Sequence, residues 1–365
     1  MPEHYSTTRM RLKKDEAEII IDYRRIKDEA THEGLDPNSV SSGWIKGQHA
    51  SLYFKNPDFN GVEFDKDKID WDKILSPITH KEEHNPCVWH EARTGAFDRL
   101  IITDCHIGMT PNKDGYSLYG GKWDEKELND RLDRLIGHAY GNCQADTLYL
   151  DDLGDLMDGW DGFTTRKKHS LPQNMDNQKA FDVALRFKFE MIDRLLGFYK
   201  NIVIHNVCQD NHSGAFGYVV NSAFKTLCEL KYDNVIVSNQ RKFIDHYKVG
   251  KNVFILCHGK DSDNLKFGFK VQLDGKGKDK IDEYIDKNYL MQKGINIEFS
   301  KGDSHQELFD RCSSDRYSYM NYPAFSPSSN WIQTNYKQGR SGFIMFNYYD
   351  TNQFEIKPHY FDWKK

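Results

Sequence analysis

A strong net charge, clustered cysteine and long apolar runs are all missing from this sequence. Its 50 Lys and Arg stand against 55 Asp and Glu, a formal charge of -5 over 365 residues. No overall basic field exists to hold a polyanion, so contact with nucleic acid would come from local patches or bound cations. The seven cysteines (Cys87, Cys105, Cys143, Cys208, Cys228, Cys257 and Cys312) are odd in number, far apart and include no CxxC pair. That pattern argues against a disulfide framework or a zinc ribbon and favours a reducing cytoplasm. The opening MPEHYSTTRMRLKKDEAEIIIDYRRIKDEA is charged from the start and lacks the apolar stretch of a signal peptide or membrane span. A soluble, cytoplasmic protein is expected. Neither an internal repeat nor a low-complexity tract is present. Aromatic residues are plentiful: 22 Phe, 20 Tyr and 7 Trp exclude a disordered chain, and the length allows one or two domains with a sizeable core.

Periodicity divides the chain in two. Residues 14–34 read as a charged helix ended by Gly34 and Pro37, and residues 39–71 read as loops with short strands. Residues 1–95 are therefore expected to form an N-terminal extension, and 96–365 a catalytic domain. From Phe97 onward, apolar runs of strand length (RLIITD, TLYLDD, NIVIHN and VFILCH) alternate with helical stretches near 125–142, 179–200 and 217–230. This order predicts an α/β core. SGFIMFNYYD and QFEIKPHYFDW have strand-like aromatic alternation and suggest strands of a second sheet packed on the first. GKGKDK (275–280) reads as a charge-rich turn.

Polar residues that end successive buried strands collect along one edge of such a sheet, where ligands bind. After RLIITD the pair Asp104 and His106 sets a carboxylate and an imidazole at a spacing that lets both reach one cation. After TLYLDD the loop crowds Asp151, Asp152, Asp155 and Asp158, whose mutual repulsion a bound cation would offset. Asn211 and His212 follow NIVIHN, His258 ends VFILCH, and Asp303 and His305 follow INIEFS. Taken singly, the motifs of Asp104, Asn211, His258 and His305 are commoner as turns or satisfied structural groups than as sites, and the acidic loop is as often a solvated loop as a cation site.

Taken in order, D-x-H, G-D-x-x-D, N-H, H-G and G-x-x-H, each after a β run, resemble the calcineurin-like metallophosphoesterase family over residues 97–347. The resemblance implies a two-sheet β sandwich flanked by helices, with a binuclear metal site at the strand ends. Carried over, Asp104, His106 and His305 would hold one metal, Asp155 would bridge, Asn211 and His258 would hold the second, and His212 would be the substrate-facing acid. Asp155 and His212 are thus the expected catalytic residues. Three departures stand out. Asp303 occupies the place of the first His in a G-H-x-H motif, where a carboxylate would harden the second site toward Mn or Mg. The third motif reads D-N-H-S, without the usual Gly and without an acid after His212, and Asp210 could stand in for either. Asp158 is expected to orient its loop rather than ligate, and Asp151, Asp152 and Asp161 to be surface acids.

The expected cofactors are two divalent ions, Mn foremost, with Fe, Zn or Mg as alternatives. The expected activity is phosphoester hydrolysis, with two cations clamping the phosphate and acidifying a water. The segment 109–142, with Leu132, Leu135 and Ile136, loosely resembles the repair-type nuclease branch. The insertion 162–178 carries Arg166, Lys167 and Lys168, which could hold a DNA or RNA backbone. Arg316, Tyr317, Tyr319, Tyr322 and Trp331 could stack bases or simply pack between sheets. A nuclease is the favoured reading, a nucleotide phosphodiesterase or phosphatase the alternative, and a catalytically degenerate scaffold of the same fold the alternative from another class.

Overall fold

A computed structural model describes strand residues 7–11, 18–22, 42–46 and 51–55, then 93–111, 122–166, 169–259, 267, 270–329, 332, 339–350 and 353–361. The chain forms two compact units, Met1–Ser76 and Pro77–Lys365.

In the first unit, β1 (Thr7–Arg11) pairs antiparallel with β2 (Glu18–Asp22), and β3 (Ser42–Lys46) with β4 (Ser51–Lys55). The second hairpin agrees with the short strands expected there. The helix expected over 14–34 is corrected at Glu18–Asp22, which is extended. Three consecutive β-branched residues, Ile19 to Ile21, disfavour a helix and favour a strand by intrinsic propensity. The remainder of that span lies outside the described residues.

The second unit is built in four layers. One sheet has the order β15-β14-β5-β6-β7-β8, comprising Phe354–Tyr360, Gly342–Tyr348, Phe97–Ile102, Thr147–Asp152, Asn201–Val207 and Val235–Gln240. Its strands β5 to β8 run parallel. The other has the order β12-β13-β11-β10-β9, comprising Leu308–Asp310, Ser318–Asn321, Asn296–Lys301, Asn252–Cys257 and Ile244–Val249. Helices α1 (Glu125–Asn142), α2 (Asn177–Leu195) and α3 (Gly214–Lys231) cover the first sheet, and α4 (Gly275–Lys287) covers the second. This is the two-sheet, helix-flanked arrangement that the family resemblance implies.

Strand alternation sorts the side chains. Leu100 and Ile102 of β5 face the helices and pack with Leu132, Leu135, Phe187 and Phe224. Phe97 and Ile101, on the opposite face, pack between the sheets with Phe254, Leu256, Met320 and Phe346. Three helices begin on an aspartate whose carboxylate accepts a first-turn N–H: Asp124 from Glu127, Asp176 from Lys179 and Asp274 from Gly277. The last of these corrects GKGKDK. It opens α4 instead of forming a turn, because the Asp274 cap and the buried pair Ile281 and Ile285, one turn apart, outweigh its glycines.

Two further expectations are corrected. The C-terminal strands β14 and β15 extend the first sheet, β14 pairing antiparallel with β5. Asp151 and Asp152 are not surface acids, being 0% and 1% exposed. Asp151 Oδ2 lies 2.6 Å from Arg99 Nε between the sheets, where Arg99 also donates to Ser300 Oγ at 3.0 Å and pairs with Glu298. Asp152 Oδ2 lies 2.7 Å from Lys188 Nζ, which also donates to Asn206 Oδ1 at 2.6 Å and Asn221 Oδ1 at 2.7 Å. A buried charge is tolerated when it is paired and hydrogen-bonded, and both clusters meet that condition. Asp161 is exposed, as expected.

Candidate metal centre

The ends of β5, β6, β7, β10 and β11 lead into loops that converge at one place. Asp104 N donates to Gly154 O at 3.0 Å, His106 N to Asp155 O at 2.9 Å, and Gly302 N to His258 O at 2.8 Å. Two of the glycines in these motifs are needed for that closeness. A Cβ on Gly302 would fall 2.2 Å from Thr103 Oγ1, and one on Gly259, at φ +150°, would fall 2.6 Å from Asp303 Cβ.

The backbone is bent hard at the expected ligands. Among the described residues, the non-glycines with positive φ are Asp104 (52°), His106 (45°), Asp155 (51°), Asp161 (51°), Tyr289 (54°), Asp303 (64°) and His305 (53°). All but Asp161 and Tyr289 are expected ligands. Left-handed backbone costs about 1–2 kcal/mol per L-residue and persists where the surroundings over-determine it, typically at functional sites.

The side chains meet accordingly. His305 Nε2 is 3.3 Å from Asp104 Oδ1 and 3.2 Å from His106 Nε2. Asp155 Oδ2 is 3.0 Å from His258 Nε2 and 3.8 Å from His106 Nε2, which places Asp155 between the two groups of histidines. Asp303 Oδ1 is 3.8 Å from His258 Nε2. Sets of one ligand atom each from Asp104, His106 and His305, from His106, Asp155 and His212, and from Asp104, Asp155 and His258 all lie within 4.8 Å of one another. The expected residues Asp104, His106, Asp155, His258, Asp303 and His305 are thus brought together.

Buried polar atoms are almost always hydrogen-bonded, and here several are not. Asp104 Oδ1, Asn211 Oδ1 and His258 Nε2 have no hydrogen-bond partner. His258 Nε2 is close to Asp155 without the alignment of a hydrogen bond, while its Nδ1 faces Leu153 O at 2.9 Å. That Nδ1 contact fixes the ring so that Nε2 points inward, as a ligating imidazole requires. Carboxylate, amide and imidazole donors together suit Mn, Fe or Zn, and the orphaned atoms are of these types.

Charge in the site is strongly coupled. Burial would raise the Asp104 carboxyl, yet His305 and His106 hold it well below the ordinary range. Burial likewise opposes the His258 imidazolium, but the Asp155 carboxylate, with Asp104 and Asp303 adding to it, outweighs burial and carries His258 to about 10. Asp155 is lowered in return, against burial, chiefly by His258 and then His212. Asp210 goes the other way, to about 7, because burial and the Asp155 charge both favour its neutral form. Asp303 is raised by burial, with Asp104 and Asp155 adding to the effect. Divalent cations would displace the histidine protons and neutralise the carboxylates directly.

No family model and no curated protein matches the sequence. Among solved structures the chain is similar to Vps29 complexed with zinc from Entamoeba histolytica, with 12% identity, TM-score 0.33, and coverage of 73% of this chain and 99% of that one. It is also similar to YfcE, a phosphoesterase from E. coli, with 11% identity, TM-score 0.33, and coverage of 71% and 98%. A third is the phosphopantetheinyl hydrolase PptH from Mycobacterium tuberculosis, with 9% identity, TM-score 0.27, and coverage of 67% and 93%. Likenesses this weak carry no argument about this chain.

The residues around the cluster clarify the altered third motif. Asp158 Oδ1 lies 3.0 Å from His106 Nδ1 and 3.4 Å from His212 Nδ1, so one buried acid orients both rings. Sequence order hid this contact, since Asp158 comes from the second motif and His212 from the third. Asp210 accepts from Ser213 Oγ at 2.9 Å, Gly214 N at 2.8 Å and Asp155 N at 3.2 Å, tying the start of α3 to the Asp155 loop. Trp123 Nε1 donates to His106 O at 2.9 Å, a support without a motif signature. Lys301, fully buried, donates to Asn321 Oδ1 at 2.9 Å, and burial lowers its ammonium.

The candidate substrate contacts fare unevenly. Arg166 follows Thr165, whose N–H donates to His212 O at 3.1 Å, so this insertion runs against the site. Lys167, Lys168 and Trp331 lie outside the described residues. Tyr317, Tyr319 and Tyr322 are buried, Tyr317 and Tyr319 in the core beside the second sheet and Tyr322 between the sheets, as the packing alternative expects. Arg316 is engaged with Asp282 and Asp286 of α4. Among the described residues, no helix is long and apolar enough to cross a membrane.

Proposed function

We propose that this chain is a phosphoester hydrolase that binds two divalent cations, Mn foremost, and cleaves phosphodiesters of nucleic acid. The observation that carries the reading is the convergence of carboxylate and imidazole donors, with Asp104 Oδ1 and His258 Nε2 buried and unpartnered among them and Asn211 Oδ1, next in sequence to His212, likewise buried and unpartnered. Asp104, His106 and His305 would hold one cation, Asn211, His258 and Asp303 the other, and Asp155 would bridge. When bound, such a pair neutralises phosphate charge and supplies a nucleophile near neutral pH.

The chain's own residues do the rest. His212 is the open member of the cluster, with 21% of its side chain exposed. Its Nδ1 faces Asp158 O at 3.1 Å, leaving Nε2 for the substrate. Burial opposes its protonation, but the Asp155 charge and the Asp158 carboxylate together outweigh it and raise His212 above the ordinary histidine value, the direction that a proton donor to the leaving oxygen needs. Asp155 Oδ1 accepts the His212 backbone N–H at 3.1 Å, which locks the donor to the bridging carboxylate. The insertion bearing Arg166 beside His212 supports a polyanionic substrate over a small monoester.

The test is metal analysis of the purified protein together with assays on single- and double-stranded DNA, RNA, cyclic dinucleotides and a generic diester, each with Mn, Mg and Zn. Asp155→Asn should lose metal and hydrolysis together. Stoichiometric metal and normal turnover in that variant would make the site assignment wrong, and a metal-free, inert wild type would indicate a scaffold.

A further inference from the structure

Two large aromatic side chains near the cluster are left about half exposed. Trp160 and Phe163 are each 46% exposed. They pair across a tight hairpin: Trp160 N donates to Phe163 O and Phe163 N to Trp160 O, both at 2.9 Å. The two residues between them, Asp161 and Gly162, have φ 51° and 77°, the left-handed pair of a type I′ turn, for which Asp-Gly is a preferred sequence. Directly opposed residues in an antiparallel pair project to the same face, so both rings stand on one face of the hairpin.

The hairpin is tied by hydrogen bonds to the loops around the cluster. Asp161 N donates to Asn177 Oδ1 at 3.0 Å, Gly162 N to Gln173 Oε1 at 2.9 Å, and Leu171 N to Gly162 O at 2.7 Å. Gly159, at φ +150°, lets the Phe163 carbonyl approach to where a Cβ would sit 2.4 Å away. Asp158, which contacts His106 and His212, lies two residues before Trp160, roughly 7 Å of extended chain at most. Thr165, two residues after Phe163, donates to His212 O. Trp160 packs edge-on against Phe216 at 4.7 Å, in the turn of α3 that follows His212. Both ends of the hairpin are thus anchored at the residue on the leaving-group side.

Resting on the phosphodiesterase reading above, we propose that Trp160 and Phe163 form a base-stacking platform for the nucleotide next to the scissile phosphate. Every base has a π face, so an aromatic platform binds strands with little sequence preference. The pinned turn holds the rings in place before substrate arrives, which limits the ordering cost of binding.

Cleavage should be compared between a dinucleotide, a single-stranded oligonucleotide and an abasic oligomer of equal length, for wild type, Phe163→Ala, Trp160→Ala and Trp160→Phe. The alanine variants should lose about 5- to 150-fold in kcat/KM on base-bearing substrate and leave the abasic rate unchanged. Trp160→Phe should restore most of the loss, and metal content should stay at the wild-type level. Loss confined to the longer strand indicates nucleic acid as the source of the base, and loss on the dinucleotide as well indicates that one nucleotide suffices. Equal losses on abasic and base-bearing oligomers, or none on either, would overturn the platform. Tryptophan quenching by the oligonucleotide, lost in Trp160→Phe and absent with the abasic oligomer, reads stacking without turnover. Quenching without cleavage in the wild type would retain the platform and sink the hydrolase reading; cleavage without base-dependent quenching would do the reverse.

Discussion

Replacing Arg99 with Met tests whether the ion cluster between the sheets stabilises the fold. Arg99 is fully buried and serves two carboxylates, Asp151 (side chain 0% exposed) and Glu298 (8%), with Ser300 and Tyr247 accepting further contacts. Methionine fills much of the volume, so the dominant loss is the cation. Breaking a buried ion pair by removing one partner costs about 3–5 kcal/mol, because the other charge stays in low dielectric. Two stranded carboxylates do not double this figure. Tyr322 OH still donates to Glu298 at 2.9 Å, Tyr348 OH at 3.1 Å, and His205 Nδ1 still faces Asp151 at 3.0 Å. At roughly 2–4 °C per kcal/mol for a domain of this order, Tm should fall by about 6–20 °C.

The variant should also acquire a pH signature. In the native chain, burial raises the Asp151 carboxyl but Arg99 and His205 outweigh it and keep it low. Without Arg99 the burial effect remains, so the folded state binds protons more tightly than the unfolded chain. Stability is then greatest below the ordinary carboxylate range near 4 and declines as pH rises toward the new folded value. Thermal melts of Arg99→Met at pH 5 and pH 8, with fixed metal, read both effects. The triple variant R99M/D151N/E298Q should recover much of the loss. An Arg99→Met protein melting within about 2 °C of wild type at pH 8 would refute the reasoning.

Other outcomes follow from the site. His212→Ala should slow hydrolysis of an alkyl-leaving phosphodiester by about 10²–10⁴ and that of a nitrophenyl diester much less, since a nitrophenolate leaves without a proton; equal loss on both would remove the acid role. In metal-free protein, His258 contributes stability present below the unfolded histidine value near 6.5 and lost as pH rises through about 10. Metal releases that proton, so the stabilisation by Mn should grow by about 1.4 kcal/mol per pH unit between 7 and 9, read as the Tm difference with and without Mn. Gly302→Ala would drive a methyl into Thr103 and Asp104 and should weaken metal retention and lower Tm together; a variant with unchanged metal content would show that the loop has room.

The strands that carry the site were legible because buried parallel strands read as unbroken apolar runs with a polar residue at the end. TLYLDD and VFILCH each locate their strand within one residue. Elements whose register depends on tertiary pairing were less visible. β14 looks the same in sequence whichever sheet it joins, and its place beside β5 is set by packing of Ile344 and Phe346 between the sheets. α4 was hidden by glycines that local propensity disfavours in a helix and that burial of Ile281 and Ile285 overrides. Charge misled at Asp151 and Asp152, because their cations Arg99 and Lys188 are distant in sequence. The ligand-type residues were readable from the motifs, whereas the shared acid Asp158 and the Trp160 hairpin needed three dimensions.

The left-handed backbone at Asp104, His106, Asp155, Asp303 and His305 has a consequence for how this centre can be taken apart. Asn and Asp tolerate such dihedrals better than alanine does. An alanine scan would therefore mix two injuries at each of these positions, a missing donor and a peptide torsion that the new residue resists. Asparagine substitutions leave the torsion accommodated and remove only charge or ring. The same bends also make the donor geometry a property of the chain rather than of its guest ion. A metal swap should accordingly alter reactivity while leaving the loops superimposable.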